Sequence, residues 1–267
     1  MTADADNPQV FAGLEYQRVG AVGGLPVVVH HGLVAGSATA PRATEAAAAR
    51  GIELIGVARP GYGSSAPAGM ESVADWHRLV TPLLDELGVG RYGVWGVSAG
   101  APYSYALAAL DPGRVTGVAI TSGIGLVNDP AVVAEYGEES RRAFEFFRTS
   151  GLDAVREFWN NSLKQSLETA PADSPFIPGV IASLANDGYG PGREAWLQQR
   201  PWGFDFAAIV APVRMWHAVD DDMVPFATAQ MISRLVPDVV FEAVAGESHI
   251  PTDATVVAAL EFLRSRG

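Results

Sequence analysis

The sequence contains no cysteine and a single lysine, Lys164. Without cysteine there are no disulfides, no thiolate nucleophile and no thiolate metal site, and a cytoplasmic location is the expectation. Positive charge is scarce: 18 Lys and Arg stand against 30 Asp and Glu, a formal net charge of -12. That balance, with no basic cluster, excludes a protein built to hold a phosphate backbone. No block of like charge stands out either, so the acidity implies solubility rather than a charged partner. Apolar runs such as Leu25–Val29 are short, and no membrane-spanning helix or membrane partner is expected. The opening "MTADADNPQV" lacks the basic and apolar regions of a signal peptide.

What is present is ample apolar material, 48% of 267 residues, which suits one domain carrying an insertion. Short β-branched runs alternate with Ala- and Leu-rich segments, the pattern of a mostly parallel sheet flanked by helices. Strands are predicted at Glu15–Val22, Pro26–His31, Glu53–Ala58, Tyr92–Val97, Gly117–Thr121, Val213–His217 and Val239–Val244. Helices are predicted at Ala40–Arg50, Ser72–Leu87, Ala99–Leu110, Ala227–Leu235 and Thr252–Ser265. The strands are apolar almost throughout, as strands covered on both faces must be.

The alternation stops between residues 125 and 205. Helical periodicity takes over in "EESRRAFEFFRTSGLDAVREFWNNSL", followed by the Pro- and Gly-rich "APADSPFIPG". More than half of the chain's Phe and Trp fall in this segment. It is expected to be a helical lid over one end of a core made of residues 1–124 and 206–267. Phe144, Phe147, Trp159 and Trp202 are the candidate substrate contacts, and Arg141, Arg142, Arg148 and Lys164 are expected on its solvated face.

The chemistry centres on Gly96-Val97-Ser98-Ala99-Gly100, which follows an apolar strand and opens a helix. G-x-S-x-G alone is weak evidence, but a strand-to-helix turn holds the serine hydroxyl out, and only small neighbours fit such a turn. The helix start brings partial positive charge and the Ala99 N–H beside Ser98. A serine needs a base, and the base an orienting acid. His249, in "VAGESHIPTD" between the last strand and last helix, can reach the serine. His77 lies mid-helix and His217 ends a strand, and both read as structural. Asp220, Asp221 and Asp222 occupy the loop after His217, and any of them could orient His249.

With these landmarks the chain resembles the α/β-hydrolase fold family, in its small helical-lid esterase and peptidase-like branch. "VVVHHGLVAGS" (27–37), "ARPGYGSS" (58–65), "GVSAG" (96–100), "WHAVDDDMVP" (216–225) and "GESH" (246–249) carry the resemblance. "PWGFDFAAI" (201–209) is similar to the segment that returns from lid to sheet. The resemblance implies that Leu33 supplies a second oxyanion-hole N–H and that Asp221 is the acid. Ala58 stands where many relatives have Asp. The HGGPG and GGSWG forms of proline iminopeptidases are missing, which disfavours a peptidase. Epoxide hydrolases and haloalkane dehalogenases need Asp where this chain has Ser98. Hydroxynitrile lyases of this fold use a lysine near the acid loop, and Lys164 lies in the insertion.

The expected activity is acyl transfer by Ser98, His249 and Asp221 on a small, largely neutral ester or lactone, with no cofactor and no metal. Carbon–carbon bond hydrolysis and peroxyacid formation use the same triad and stand as alternatives. So does a hydrolase-derived protein that senses a small ligand.

Overall fold

The computed structural model describes residues 7–267. Eight strands form one sheet: β1 (Gln9–Phe11), β2 (Leu14–Gly20), β3 (Leu25–His30), β4 (Ile52–Val57), β5 (Tyr92–Val97), β6 (Val115–Thr121), β7 (Val213–Ala218) and β8 (Val239–Val244). Their spatial order is β1-β2-β4-β3-β5-β6-β7-β8. β1 and β2 pair antiparallel, as do β2 and β4, and every other pairing is parallel. All seven predicted strands are present within a few residues. β2 stops at Gly20, short of the predicted Val22, because Gly20 turns at φ +85, where a side chain would sit 2.6 Å from the Ile52 carbonyl oxygen.

Helices α1 (Pro41–Ala48) and α9 (Asp253–Arg264) cover one face; α2 (Asp75–Glu86), α3 (Ala101–Leu110) and α8 (Phe226–Ser233) cover the other. Strand pleating sorts the core between them. Val27, Val29, Ile52 and Leu54 pack toward α1 and α9, whereas Val28, Ile55 and Val57 pack toward α2 and α3. The apolar strands thus reflect burial on both sides.

Between β6 and β7 lie α4 (Pro130–Ala134), α5 (Glu138–Thr149), α6 (Leu152–Thr169) and α7 (Ile177–Gln198). α7 is broken in its middle: Asn186, Asp187 and Gly188 adopt left-handed backbone at φ 53, 55 and 69. The side-chain amide of Asn186 donates to the Gly61 and Ser65 carbonyls across this break. Its second half, "YGPGREAWLQ", is buried against the loop after β4. Arg141, Arg142, Arg148 and Lys164 are all exposed. No helix among the described residues is long and apolar enough to cross a membrane.

The tightest junction joins β5 to α3 through a single 3-10 turn, Ser98–Gly100. Ser98 sits at φ +52. A Cβ on Gly100 would lie 2.1 Å from the His30 carbonyl oxygen, and one on Gly96 would lie 2.5 Å from Ser104 Oγ. Backbone cannot yield to such overlap cheaply, so Gly100→Ala should destabilise the fold by about 3 kcal/mol or more. Urea unfolding checks this; a midpoint within error of wild type would contradict the packing described.

Candidate active site

The carboxyl ends of β5, β7 and β8 bring Ser98, Asp221 and His249 together, although 151 residues separate the serine from the histidine. Ser98 Oγ lies 3.0 Å from His249 Nε2. His249 Nδ1 lies 3.0 and 2.9 Å from the two Asp221 carboxylate oxygens. Nδ1–H donating to Asp221 leaves the Nε2 lone pair facing the serine hydroxyl.

Of the three neighbouring aspartates, Asp221 is the one bonded to His249. Its side chain is fully buried, whereas Asp220 and Asp222 are exposed. The backbone N–H groups of Met223 and Val224 donate to Asp221 Oδ1 at 2.9 and 2.8 Å. Burial works to raise its pKa, but the His249 hydrogen bond and these N–H donors outweigh it and hold the carboxyl below its ordinary value. It therefore stays ionised beside the imidazole. His217 supports the same loop: its Nε2–H donates to the Val224 carbonyl at 2.9 Å. Burial keeps His217 below histidine's usual value, hence neutral.

The loop after β3 runs beside the serine. A Cβ on Gly32 would lie 3.6 Å from Ser98 Cβ. Side chains hold the loop's carbonyls: Tyr62 donates to Leu33 O at 2.8 Å, and His31 Nδ1–H donates to Gly32 O at 2.7 Å. Across the elbow, Gln198 donates to Ala99 O at 3.1 Å, and the Ile124 N–H donates to Ser98 O at 3.1 Å. The peptides that carry the Leu33 and Ala99 N–H groups are thereby fixed on either side of Ser98.

Residues 26–252 match the family profile described as alpha/beta hydrolase fold. The chain belongs to the alpha/beta hydrolase fold family. Among solved structures, it is similar to an alpha/beta hydrolase fold protein from Nakamurella multipartita, at 21% identity and TM-score 0.67, over 98% of this chain and 100% of that one. A thermophilic esterase from Thermogutta terrifontis matches at 21% identity and TM-score 0.67, over 94% and 93% of the two chains. A bromoperoxidase from Bacillus anthracis matches at 18% identity and TM-score 0.65, over 94% and 93%. No curated protein matches the chain in sequence.

This alpha/beta hydrolase also carries a buried polar network that sequence patterning missed. Arg59, just after β4, pairs through Nε and Nη2 with both carboxylate oxygens of Glu194 in α7, and both side chains are 0% exposed. Burial disfavours the charged guanidinium, yet Glu194 more than offsets it. Arg59 Nη2 also donates to Gly32 O at 3.2 Å, and its backbone N–H donates to His31 Nε2 at 3.2 Å. The helical insertion is in this way tied to the loop beside Ser98. The only sequence signal was the pair Arg193-Glu194 within a glycine-rich, otherwise apolar stretch.

The four aromatic side chains expected to contact substrate pack against other rings and core side chains. Phe147 packs with Val155 and Ala195, and the Trp159 ring lies against it. Phe144 stacks edge-on with Tyr136. Trp202 is 3% exposed in the main core, its indole N–H donating to Gln198 O. Edge-on and tilted ring pairs of this kind link α5 to α6 through Phe147, Phe158 and Trp159.

Two stability predictions follow from the burial. His30 and His31 are held well below histidine's ordinary 6.5, and His217 below it, in each case chiefly by burial. Unfolded histidines take up protons that these cannot, so their contribution is complete above about pH 6.5 and is lost as pH falls through it. Each contributes a slope of up to about 1.4 kcal/mol per pH unit. Denaturation midpoints at pH 7.5, 6.5 and 5.5 check this, and a level profile would contradict it. Glu194→Gln should cost about 3–5 kcal/mol by stranding the Arg59 charge, whereas Arg59→Met combined with Glu194→Leu should recover most of it. A single variant as stable as wild type would show the pair to be solvated.

Proposed function

We propose that this alpha/beta hydrolase is a serine hydrolase that works by acyl transfer on a small neutral ester or lactone. The observation that carries the reading is the unbroken hydrogen-bond series from Ser98 Oγ through His249 to Asp221. His249 Nε2 takes the hydroxyl proton as Ser98 Oγ attacks the carbonyl carbon. The Asp221 carboxylate stabilises the imidazolium and keeps the ring oriented. The Leu33 and Ala99 N–H groups receive the oxyanion, with the start of α3 adding favourable field. The tetrahedral intermediate collapses as His249 returns the proton to the leaving oxygen. Water then attacks the acyl-Ser98 ester, and His249 serves as base again. In this reading residues 1–124 and 206–267 form the catalytic core, and residues 125–205 form a cap whose second α7 segment braces the oxyanion loop.

Steady-state hydrolysis of p-nitrophenyl acetate tests the assignment. Ser98→Ala and Asp221→Asn should each lower kcat by about 10³-fold or more, Asp221→Asn by mis-orienting His249. Asp220→Asn and Asp222→Asn, in exposed positions, should change it by less than about tenfold. Comparable losses at Asp220 or Asp222 would move the acid. Release of no more than one nitrophenol per protein would replace the enzyme with a ligand-binding protein.

A further inference from the structure

The two N–H groups that receive the oxyanion in the acyl-transfer reading each share a peptide with the carbonyl of the preceding residue. Leu33 N–H belongs with Gly32 C=O, and Ala99 N–H with Ser98 C=O. A peptide is one resonance unit, so a donor on its oxygen draws electron density to that end and strengthens its N–H as a donor. The Ser98 carbonyl accepts from a neutral group, the Ile124 N–H at 3.1 Å. The Gly32 carbonyl accepts from His31 Nδ1–H at 2.7 Å and from Arg59 Nη2–H at 3.2 Å, and the second of these carries a charge. The two peptides are therefore polarised unequally, and the stronger donor is Leu33.

Sheet register places this charge. β3 and β4 run parallel with His30 opposite Val57, so two residues further on Arg59 comes beside Gly32. The guanidinium keeps its proton because Glu194 outweighs the burial that disfavours it. Nη2 has two hydrogens and both are used, one on Glu194 Oε2 at 2.8 Å and one on Gly32 O. Nε donates to the other Glu194 oxygen, and this planar fork fixes the direction in which Nη2 points. His31 cannot supply the charge in its place. Burial keeps it well below histidine's ordinary value, and its Nε2 accepts the Arg59 backbone N–H.

We propose that Arg59 is a positioning residue for acyl transfer: held by Glu194, it orients and polarises the Gly32–Leu33 peptide, so that Leu33 N–H binds the oxyanion more strongly. This role rests on Ser98 acting as nucleophile and on Leu33 facing the oxyanion. Bracing of the loop alone would serve bound substrate and transition state alike. Polarisation counts most once the carbonyl oxygen has become negative, so it acts on kcat. Glu194, although it lies in the helical insertion, thereby reaches the chemistry through two hydrogen-bonded groups.

Two ketones separate these effects: 2-hexanone, and the same ketone with its methyl group replaced by trifluoromethyl. The fluorinated ketone takes Ser98 Oγ onto its carbonyl carbon, the π pair moves to the oxygen, and the hydroxyl proton passes to His249. 2-Hexanone occupies the site without this addition. Arg59→Met combined with Glu194→Leu removes the cation and strands no charge. Losing a whole oxyanion donor costs about 10²–10³-fold in kcat; Arg59 modulates the strength of one, so a loss of about tenfold is expected. It should appear both in kcat for p-nitrophenyl acetate and in affinity for the trifluoroketone, while KM and the Kd of 2-hexanone stay within about twofold. Arg59→Lys keeps a charge against Glu194 but lacks the fork that also reaches Gly32 O, and it should show the same split if the double variant does not fold. Trifluoroketone affinity within about twofold of wild type, in either variant once folded, overturns the role of Arg59 and leaves the hydrolase reading standing. Equal losses for the two ketones overturn it too, since they mark a general loosening of the site. A wild-type protein that binds both ketones equally forms no oxyanion adduct, which removes Ser98 as nucleophile and the role of Arg59 with it.

Discussion

A single backbone residue sets the architecture of the site. Ser98 is held at φ +52, a region that costs of order 1–3 kcal/mol for a residue with a side chain. It persists because both flanks are fixed, β5 by its parallel neighbours and α3 by burial of every residue but its last, Leu110. The turn is closed further by the contact of Gly100 with the His30 carbonyl. That contact presses the end of β3 against the start of α3 and so brings the Gly32–Leu33 loop beside the serine. His30 reinforces it, accepting from the Trp76 indole at 2.8 Å and meeting Ser104 Oγ at 2.8 Å.

The remaining groups converge on this fixed point at different energetic cost. His249 and Asp221 come from loops after β8 and β7, and their mutual bond needs only a short reach. Glu247 steadies the histidine loop by accepting from the Thr252 N–H at 3.2 Å and the Thr255 hydroxyl at 2.7 Å, which anchors it to the start of α9. The Arg59–Glu194 pair is more expensive, since both charges give up water entirely. Its effect is specificity of arrangement. An ion pair with two hydrogen bonds and a further contact to Gly32 O fixes where the second half of α7 sits relative to the loop beside Ser98.

The sequence was most informative where local pattern and tertiary environment agree. The strands β3 to β7 are apolar because both faces are covered, and the serine turn is marked by glycines that the packing requires. Asp221 was separable from its neighbours only through the family resemblance, because the burial that distinguishes it from two exposed aspartates is a tertiary property with no local mark. β1, three residues from Gln9 to Phe11, is too short to have a period. The break in α7 depends on Asn186 reaching the loop after β4, and Arg59 meets Glu194 across 135 residues, so neither leaves a local mark. The aromatic cluster of the insertion suggested a substrate surface; its ring contacts join α5 to α6, a tertiary pairing that no local period marks.

The account stands on the claim that Ser98 Oγ forms a covalent acyl ester. Rapid acid quench of the protein with excess p-nitrophenyl acetate, followed by peptide mass mapping, measures that species directly. The account predicts an acetyl group on Ser98, accumulating no faster than the first equivalent of nitrophenol is released and greatly reduced in Asp221→Asn. An acetyl group on a different residue, with Ser98 unmodified throughout, would contradict it.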